Sequence, residues 1–348
     1  MRCPARARRA IGLFLLSAYG LFAASAAYAA DGRTFEFEYV VRVHPIGGGE
    51  REAGDENGEE VHVFVPLPTN DARQQVLDEE ILASVPGRIE IEPVHGNRFY
   101  HLSYPTDGRA LDVTIRTTVE REVVRAGERS EPDPAVLFRH LAGSTRVVVD
   151  HPVLQPMLAD VRRLAGSGAT AAKARAIYDW VVDHMEYKKV GNGWGNGDTF
   201  WACSERYGNC TDFHALVMSL ARTEGIPARF EIGFSIPEDR SEGDIDGYHC
   251  WVELHLEETG WLPIDAAEAS KQPERRDLFY GTHPADRIHF TTGRDLKLGP
   301  DHRGPALNFF IYPHVEVDGH PHDGPIETRF RYRNLPRLPA DSIASKPR

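Results

Sequence analysis

Gly208-Asn-Cys-Thr-Asp-Phe-His-Ala-Leu216, continuing through Leu220-Ala-Arg-Thr-Glu-Gly-Ile-Pro-Ala-Arg229, is the stretch from which the rest of the chain can be read. Phe213, Leu216, Val217, Leu220 and Ala221 recur at the spacing of one helix face. Asn209 is a good N-cap, and Gly225 followed by Pro227 is a normal helix stop. A helix therefore begins at Asn209 or Cys210, with a cysteine in its first turn. A thiol there feels the positive end of the helix dipole, which favours the thiolate, the nucleophilic form.

A nucleophilic thiol needs a base, and the base needs a group that orients it. His249 opens the apolar run His249-Cys-Trp-Val-Glu-Leu-His-Leu256, and Asp265 closes Trp261-Leu-Pro-Ile-Asp265. Both runs read as strands, joined by the short segment 257–260. If they pair antiparallel, the start of one meets the end of the other, and His249 lies beside Asp265. Glu253 and Trp251 share a strand face with His249, and Asp212 lies in the first turn of the Cys210 helix. These three are candidates to line a substrate cleft.

Four blocks together, Gly208–Leu216, Leu220–Arg229, Gly247-Tyr-His-Cys-Trp-Val-Glu253 and Gly260-Trp-Leu-Pro-Ile-Asp265, resemble the core of the transglutaminase-like superfamily over roughly 170–270. The resemblance implies an α+β fold: a papain-like core with a helix-borne Cys packed on an antiparallel sheet. It implies Cys210 as nucleophile, His249 as base and Asp265 as orienting acid. It also implies acyl transfer on an amide or peptide bond through a thioester, ending in cross-linking, deamidation or hydrolysis. The competing expectations are a cysteine protease or amidase acting on extracytoplasmic peptides, and a non-catalytic module that keeps the fold. The Cys210 backbone N–H is one candidate oxyanion donor. The resemblance adds an upstream indole N–H, from Trp194 or Trp201. Two flanking segments, Phe290-Thr-Thr-Gly-Arg-Asp-Leu296 and Asn308-Phe-Phe-Ile-Tyr-Pro313, are similar to exported bacterial members and carry no chemistry of their own.

Working outward, Phe35, Phe37, Tyr39, Val41 and Val43 alternate with mostly polar residues, as do Val61, Val63 and Val65, Ile89 and Ile91, and Leu111 to Val119. This period of two predicts a β-sandwich domain over 31–125. The Gly-rich stretch 47–58 reads as a mobile hairpin loop between the first two strands. Residues 126–150 read as a linker, 151–270 as the core and 271–348 as a C-terminal extension packed on it. Within the core, Ala174, Ile177, Tyr178, Val181, Val182 and Met185 mark an amphipathic helix, and the glycines of 191–198 mark a loop.

The N-terminus has a separate character. Arg2, Arg6, Arg8 and Arg9 precede an apolar run from Ile11, and Ala27-Tyr28-Ala29 supplies small residues at a cleavage site. Residues 1–30 therefore read as a secretory signal peptide, which places the mature protein in the periplasm or outside the cell, with no stable membrane insertion after cleavage. The net charge of −12 and the lack of a basic stripe argue against a nucleic-acid partner. The expected partner is a protein or peptide substrate; no cofactor is implied, and nothing sets the oligomeric state. Of the four cysteines, Cys3 leaves with the signal. The odd remainder suggests one working thiol, with a disulfide between Cys203 and Cys250 balancing the count. A zinc site from Cys203, Cys210, Cys250 and His249 lacks the close cysteine pairing such sites use.

Overall fold

Strand Leu111–Glu122 buries every second side chain, from Leu111 through Val113, Ile115, Thr117, Val119 and Arg121. A strand with one buried face needs partners on both edges and a layer beneath it. The computed structural model describes residues 32–47, 60–127, 132–166 and 168–336. In it, Leu111–Glu122 pairs antiparallel with Gly32–Val43 on one side and Gln74–Ala83 on the other. Ile326–Leu335 and Glu242–Ile245 complete that five-stranded sheet. A second five-stranded sheet is built around Glu60–Pro66, between Arg98–Pro105 and His314–Val317, with Gly87–Ile91 and His320–Pro321 at its edges. Phe35, Tyr39 and Val113 of the first sheet and Val61, Val63 and Leu102 of the second enter one apolar cluster.

Two expectations change here. The predicted hairpin between 35–43 and 61–65 is not formed, because the two strands sit in different sheets; residues 48–59 of its loop lie outside the described residues. The domain bounded at 125 is also incomplete. Its first sheet takes Ile326–Leu335 and its second takes His314–Val317, so the C-terminal segment closes the sandwich rather than only packing on the core. Unpaired strand edges are the physical reason: Gly32–Val43 would otherwise expose a long row of backbone N–H and C=O groups. Residues 132–150 are likewise anchored, the Arg146 carbonyl accepting from both Thr199 N and Thr199 Oγ1.

The core sheet is antiparallel, in the order Gly260–Ile264, His249–Leu256, Ala228–Ser235, Arg287–Thr292. Cys210–Thr223 packs on it, flanked by Thr170–His184 and Thr199–Glu205. Every residue from Cys210 to Arg222 is buried, so this is a central helix rather than an amphipathic surface one. The chain is thus α+β, with antiparallel sheets, few helices and an N-terminal strand region. Among the described residues, no helix is long and apolar enough to cross a membrane. Residues 1–30, read as a signal peptide, lie outside the described residues.

Candidate active site

The Cys210 helix starts where its sequence says it should. Asn209 caps it, its side chain accepting from Thr211 N at 3.0 Å, and Asp212 returns the favour by accepting from Asn209 N at 3.0 Å. This capping box satisfies the neighbouring N–H groups and leaves that of Cys210 among the first-turn donors without an intrahelical partner. Cys210 is 1% exposed.

His249 reaches Asp265 through the strand pairing. Val252 sits opposite Ile264, so the next residues back and forward along the two strands converge. His249 Nε2 lies 2.7 Å from Asp265 Oδ2, which leaves Nδ1 for the thiol. Cys250 and His249 both act on the Cys210 thiol, favouring its charged form. Asp265 also caps the following helix, accepting from Glu268 N at 3.0 Å, and Arg287 Nη1 lies 3.3 Å from its Oδ2.

The charges follow from this packing. Burial disfavours a charged Cys210, but its contacts with Cys250 and His249, and then the charges of His249 and His214, hold the thiol well below its usual range. Burial alone would lower His249; the charge and hydrogen bond of Asp265, then Cys210, push it up to about 10. Burial opposes ionisation of Asp265 as well, yet His249, then Arg287 and His214, hold its carboxyl well below the carboxylate range. These directions favour a thiolate–imidazolium pair on a carboxylate.

Two further residues complete it, of which His214 lies with Asp212 in the early turns of the Cys210 helix as a residue that could have bound substrate. His214, one turn along the helix, accepts from Ala266 N at Nε2, 3.2 Å away. That bond leaves the proton on Nδ1, which faces Cys250 Sγ at 3.5 Å. Burial lowers the pKa of His214, while Asp265, 3.7 Å away, opposes that shift. Tyr248 accepts from Asn209 Nδ2 at 2.9 Å through its hydroxyl. Its adjacency to His249 in sequence was the one available signal.

Several sequence candidates are placed elsewhere. Trp194 Nε1 donates to Gly191 O at 3.1 Å and Trp201 Nε1 to Tyr207 O at 2.9 Å, so both indole N–H groups are spent on local backbone. Trp201 instead lies across Gly193, where a Cβ would stand 2.3 Å from the ring. Glu253 and Trp251 share the face of His249 but do not line a cleft: they are fully buried, Glu253 paired with Arg229 and Trp251 Nε1 donating to Glu231 at 2.7 Å. Asp212 is fully buried and holds the glycine loop, accepting from Gly195 N at 2.7 Å and Gly197 N at 3.0 Å. From the other side Arg294 Nη2 donates to Gly197 O at 3.0 Å, and Asn308 Nδ2 to Asn196 O at 2.8 Å. The two flanking segments therefore have a task, to clamp the loop beside the Cys210 helix.

The Cys203–Cys250 disulfide is not formed; Cys203, Cys210 and Cys250 are all free. Cys203 lies on another helix, its sulfur 3.9 Å from Met157 Sδ. Cys250 is on the strand face that meets the Cys210 helix, so alternation carries it to the site rather than behind it. The same separation splits the zinc set. Two other groups bring metal-type side chains together, His302 with His314 and Glu316, and Glu90 with His101 and Asp301. Glu316 is already engaged by Arg303 N, Gly304 N and His314 at 2.9 Å each. Arg88 bonds both Glu90 and Asp301 at 2.7 Å.

A helix-borne thiol, an imidazole and a buried carboxylate in this order are the groups that thiol-dependent chemistry uses. Residues 160–266 match the model of the transglutaminase-like superfamily. An uncharacterised protein of Haemophilus influenzae is 28% identical over 192 residues, 46% of this chain and 52% of that one. Protein YebA of Bacillus subtilis, also uncharacterised, is 29% identical over 77 residues, 20% of this chain and 10% of that one. The match thus spans about half the length of the first relative and far less of the second. The crystal structure of a candidate cysteine protease from Cytophaga hutchinsonii shares the fold, with a TM-score of 0.56 at 18% identity, over 89% of this chain and 93% of that one.

Proposed function

We propose that this protein cleaves amide or peptide bonds by thiol-dependent acyl transfer, with Cys210 as nucleophile, His249 as acid and base, and Asp265 as its orienter. The observation that carries the reading is the His249 imidazole that Asp265 clamps at 2.7 Å, together with a Cys210 thiol that Cys250 and His249 hold well below its usual range. The Cys210 thiolate attacks the substrate carbonyl carbon, and the oxyanion forms beside the Cys210 N–H at the helix start. The His249 imidazolium gives its proton to the leaving amine, and a thioester remains. Neutral His249 then takes a proton from water or an acceptor amine, which attacks the thioester and expels the thiolate. Asp265 keeps the ring in one orientation throughout.

The substrate is a protein or peptide amide. The N-terminal charge and apolar pattern supports an exported enzyme that meets this substrate in the periplasm or outside the cell. The test is a glutamine-containing peptide incubated with and without a primary amine, following ammonia, amine incorporation and backbone cleavage, with mass spectrometry of the quenched enzyme. A thioester on Cys210, absent in Cys210→Ala, is expected. Turnover by Cys210→Ala equal to that of the native enzyme would overturn the reading.

A further inference from the structure

We infer that the substrate is an acidic peptide, and that Lys188, Lys189 and Lys271 hold a carboxylate side chain next to its reacting amide. This rests on the reading of Cys210 as the nucleophile. The chain carries 52 acidic residues against 40 basic ones, and only six of the basic ones are lysines. Lys173 is paired with Glu224 at 2.7 Å, and Lys297 Nζ donates to the His302 carbonyl at 3.4 Å. Three of the other four gather beside the catalytic groups. Adjacent lysines such as Lys188 and Lys189 are ordinarily a solvated surface, but these two follow directly on the strand that pairs with the approach to the nucleophile.

Glu186–Tyr187 runs parallel to Tyr207–Gly208, which ends two residues before Cys210, and Lys188 N donates to Gly208 O at 2.9 Å. The Tyr187 ring carries two cations, with Lys271 Nζ 4.7 Å and Lys189 Nζ 5.8 Å from its centroid. Lys188 Nζ stands 5.5 Å from the centroid of Tyr207. All three lie within the reach of a cation–π contact. Lys271 arrives from the other side of the site. It ends the helix Ala266–Lys271 that Asp265 caps, and it pairs with Glu268, whose Oε1 is 3.7 Å from His249 Nε2. The lysines thus form one rim, running from Gly208 through Tyr187 to Glu268.

Two carboxylates stand on this rim. Glu268 is mostly buried between Lys271 and His249. Glu186 is exposed, its Oε2 3.8 Å from Lys188 Nζ, and so loose a surface pair adds little. Lys189 has no carboxylate partner among the described residues, and all three lysines are exposed. In a chain of net charge −12, exposed cations beside the thiol draw an anionic group to the one place that does not repel it. Ammonium groups on flexible stems act as point charges, which suits a mobile Asp or Glu side chain of a peptide.

The experiment has two arms, both on the mature protein. In the first, Cys210 is alkylated with iodoacetate, an anion, and with iodoacetamide, its neutral counterpart. The ratio of the two rates reads the charge around the thiol. It is expected to fall by up to about fivefold for each lysine changed to Gln, the strength of an exposed ion pair. The difference is expected to vanish at about 1 M salt, where the screening length is about 3 Å. Lys188→Gln/Lys189→Gln is the decisive variant, because both side chains are exposed and neither contacts the triad's carboxylates; Lys271→Gln is read separately. In the second arm, glutamine peptides with either Asp or Asn flanking the glutamine are compared by kcat/KM. The acidic peptide is expected to be preferred, and the preference to shrink in the double variant. If Cys210 labels rapidly but the acidic peptide is not preferred, or the preference survives in the double variant, the inference fails and the nucleophile stands. Where neither peptide turns over, an alkylation ratio unmoved by the lysines overturns it in the same way. If Cys210 labels no faster than Cys203, both fail.

Discussion

His249 Nε2 and Asp265 Oδ2 meet at 2.7 Å because the two strands that carry them are antiparallel neighbours, one beginning where the other ends. Asp265 does a second job, accepting from Glu268 N at 3.0 Å as a helix cap. Asp265→Asn separates the two roles, since Asn keeps a cap acceptor and loses the charge. The variant is expected to lose about 10²–10⁴-fold in kcat while melting close to the native protein. Steady-state kinetics and thermal unfolding measured on the same preparation check both halves.

The pH profile follows from His249. Its folded value is raised to about 10, so the imidazolium that protonates the leaving amine is present below that pH and lost above it. The thiol is depressed, so the thiolate persists well below the usual range and is lost only as the pH falls further. Activity is expected to form a broad plateau through neutrality and to fall above about pH 10. A sharp rise near pH 9, as for an ordinary thiol, would contradict the ion pair.

Asp212 is structural in this account. Asp212→Ala leaves buried N–H groups of Gly195, Gly197 and Asn209 without their acceptor. A loss of about 3 kcal/mol is expected from unpaired buried donors. Denaturant unfolding gives the number, and a midpoint unchanged from native would show that the loop does not depend on this carboxylate.

Trp194→Phe and Trp201→Phe test the oxyanion assignment. Each indole N–H bonds a local carbonyl, so neither change is expected to approach the roughly 10²–10³-fold loss in kcat that removal of an oxyanion donor brings. A loss of that size in either variant would place the indole in the site during turnover.

Arg287 is nearly fully buried and sits 3.3 Å from Asp265. Arg287→Met removes a cation that helps keep Asp265 ionised. The acid limb of the pH–rate profile is expected to move upward, a change that simple loss of stability would not produce. An unmoved limb would show that His249 alone sets the charge of Asp265.

What was legible in the sequence is what local chemistry decides. Asn209 as cap and Asp212 in the first turn fix the helix start at Cys210 without reference to anything distant. The short turn after Leu256 fixes the partner of His249. Strand partners chosen across the chain were not legible: Gly32–Val43 pairs with Ile326–Leu335, and neither sequence names the other. Alternation showed that Trp251 and Glu253 share the face of His249, but not that Glu231 and Arg229 cover that face. It likewise set Cys250 on the opposite face, yet could not show that the Cys210 helix crosses there. The indole of Trp201 was misplaced for the same kind of reason, since its acceptor, Tyr207 O, is a backbone atom with no signature.

The proposed chemistry requires that Cys210 be a thiolate activated by His249. The most direct test is the alkylation rate of each cysteine in the mature, reduced protein across pH, read by peptide mass spectrometry, in the native enzyme and in His249→Ala. Rapid modification of Cys210 alone is expected, persisting well below pH 8.5, the ordinary thiol value, and slowed in His249→Ala. A Cys210 that labels no faster than Cys203, or is indifferent to loss of His249, would contradict it.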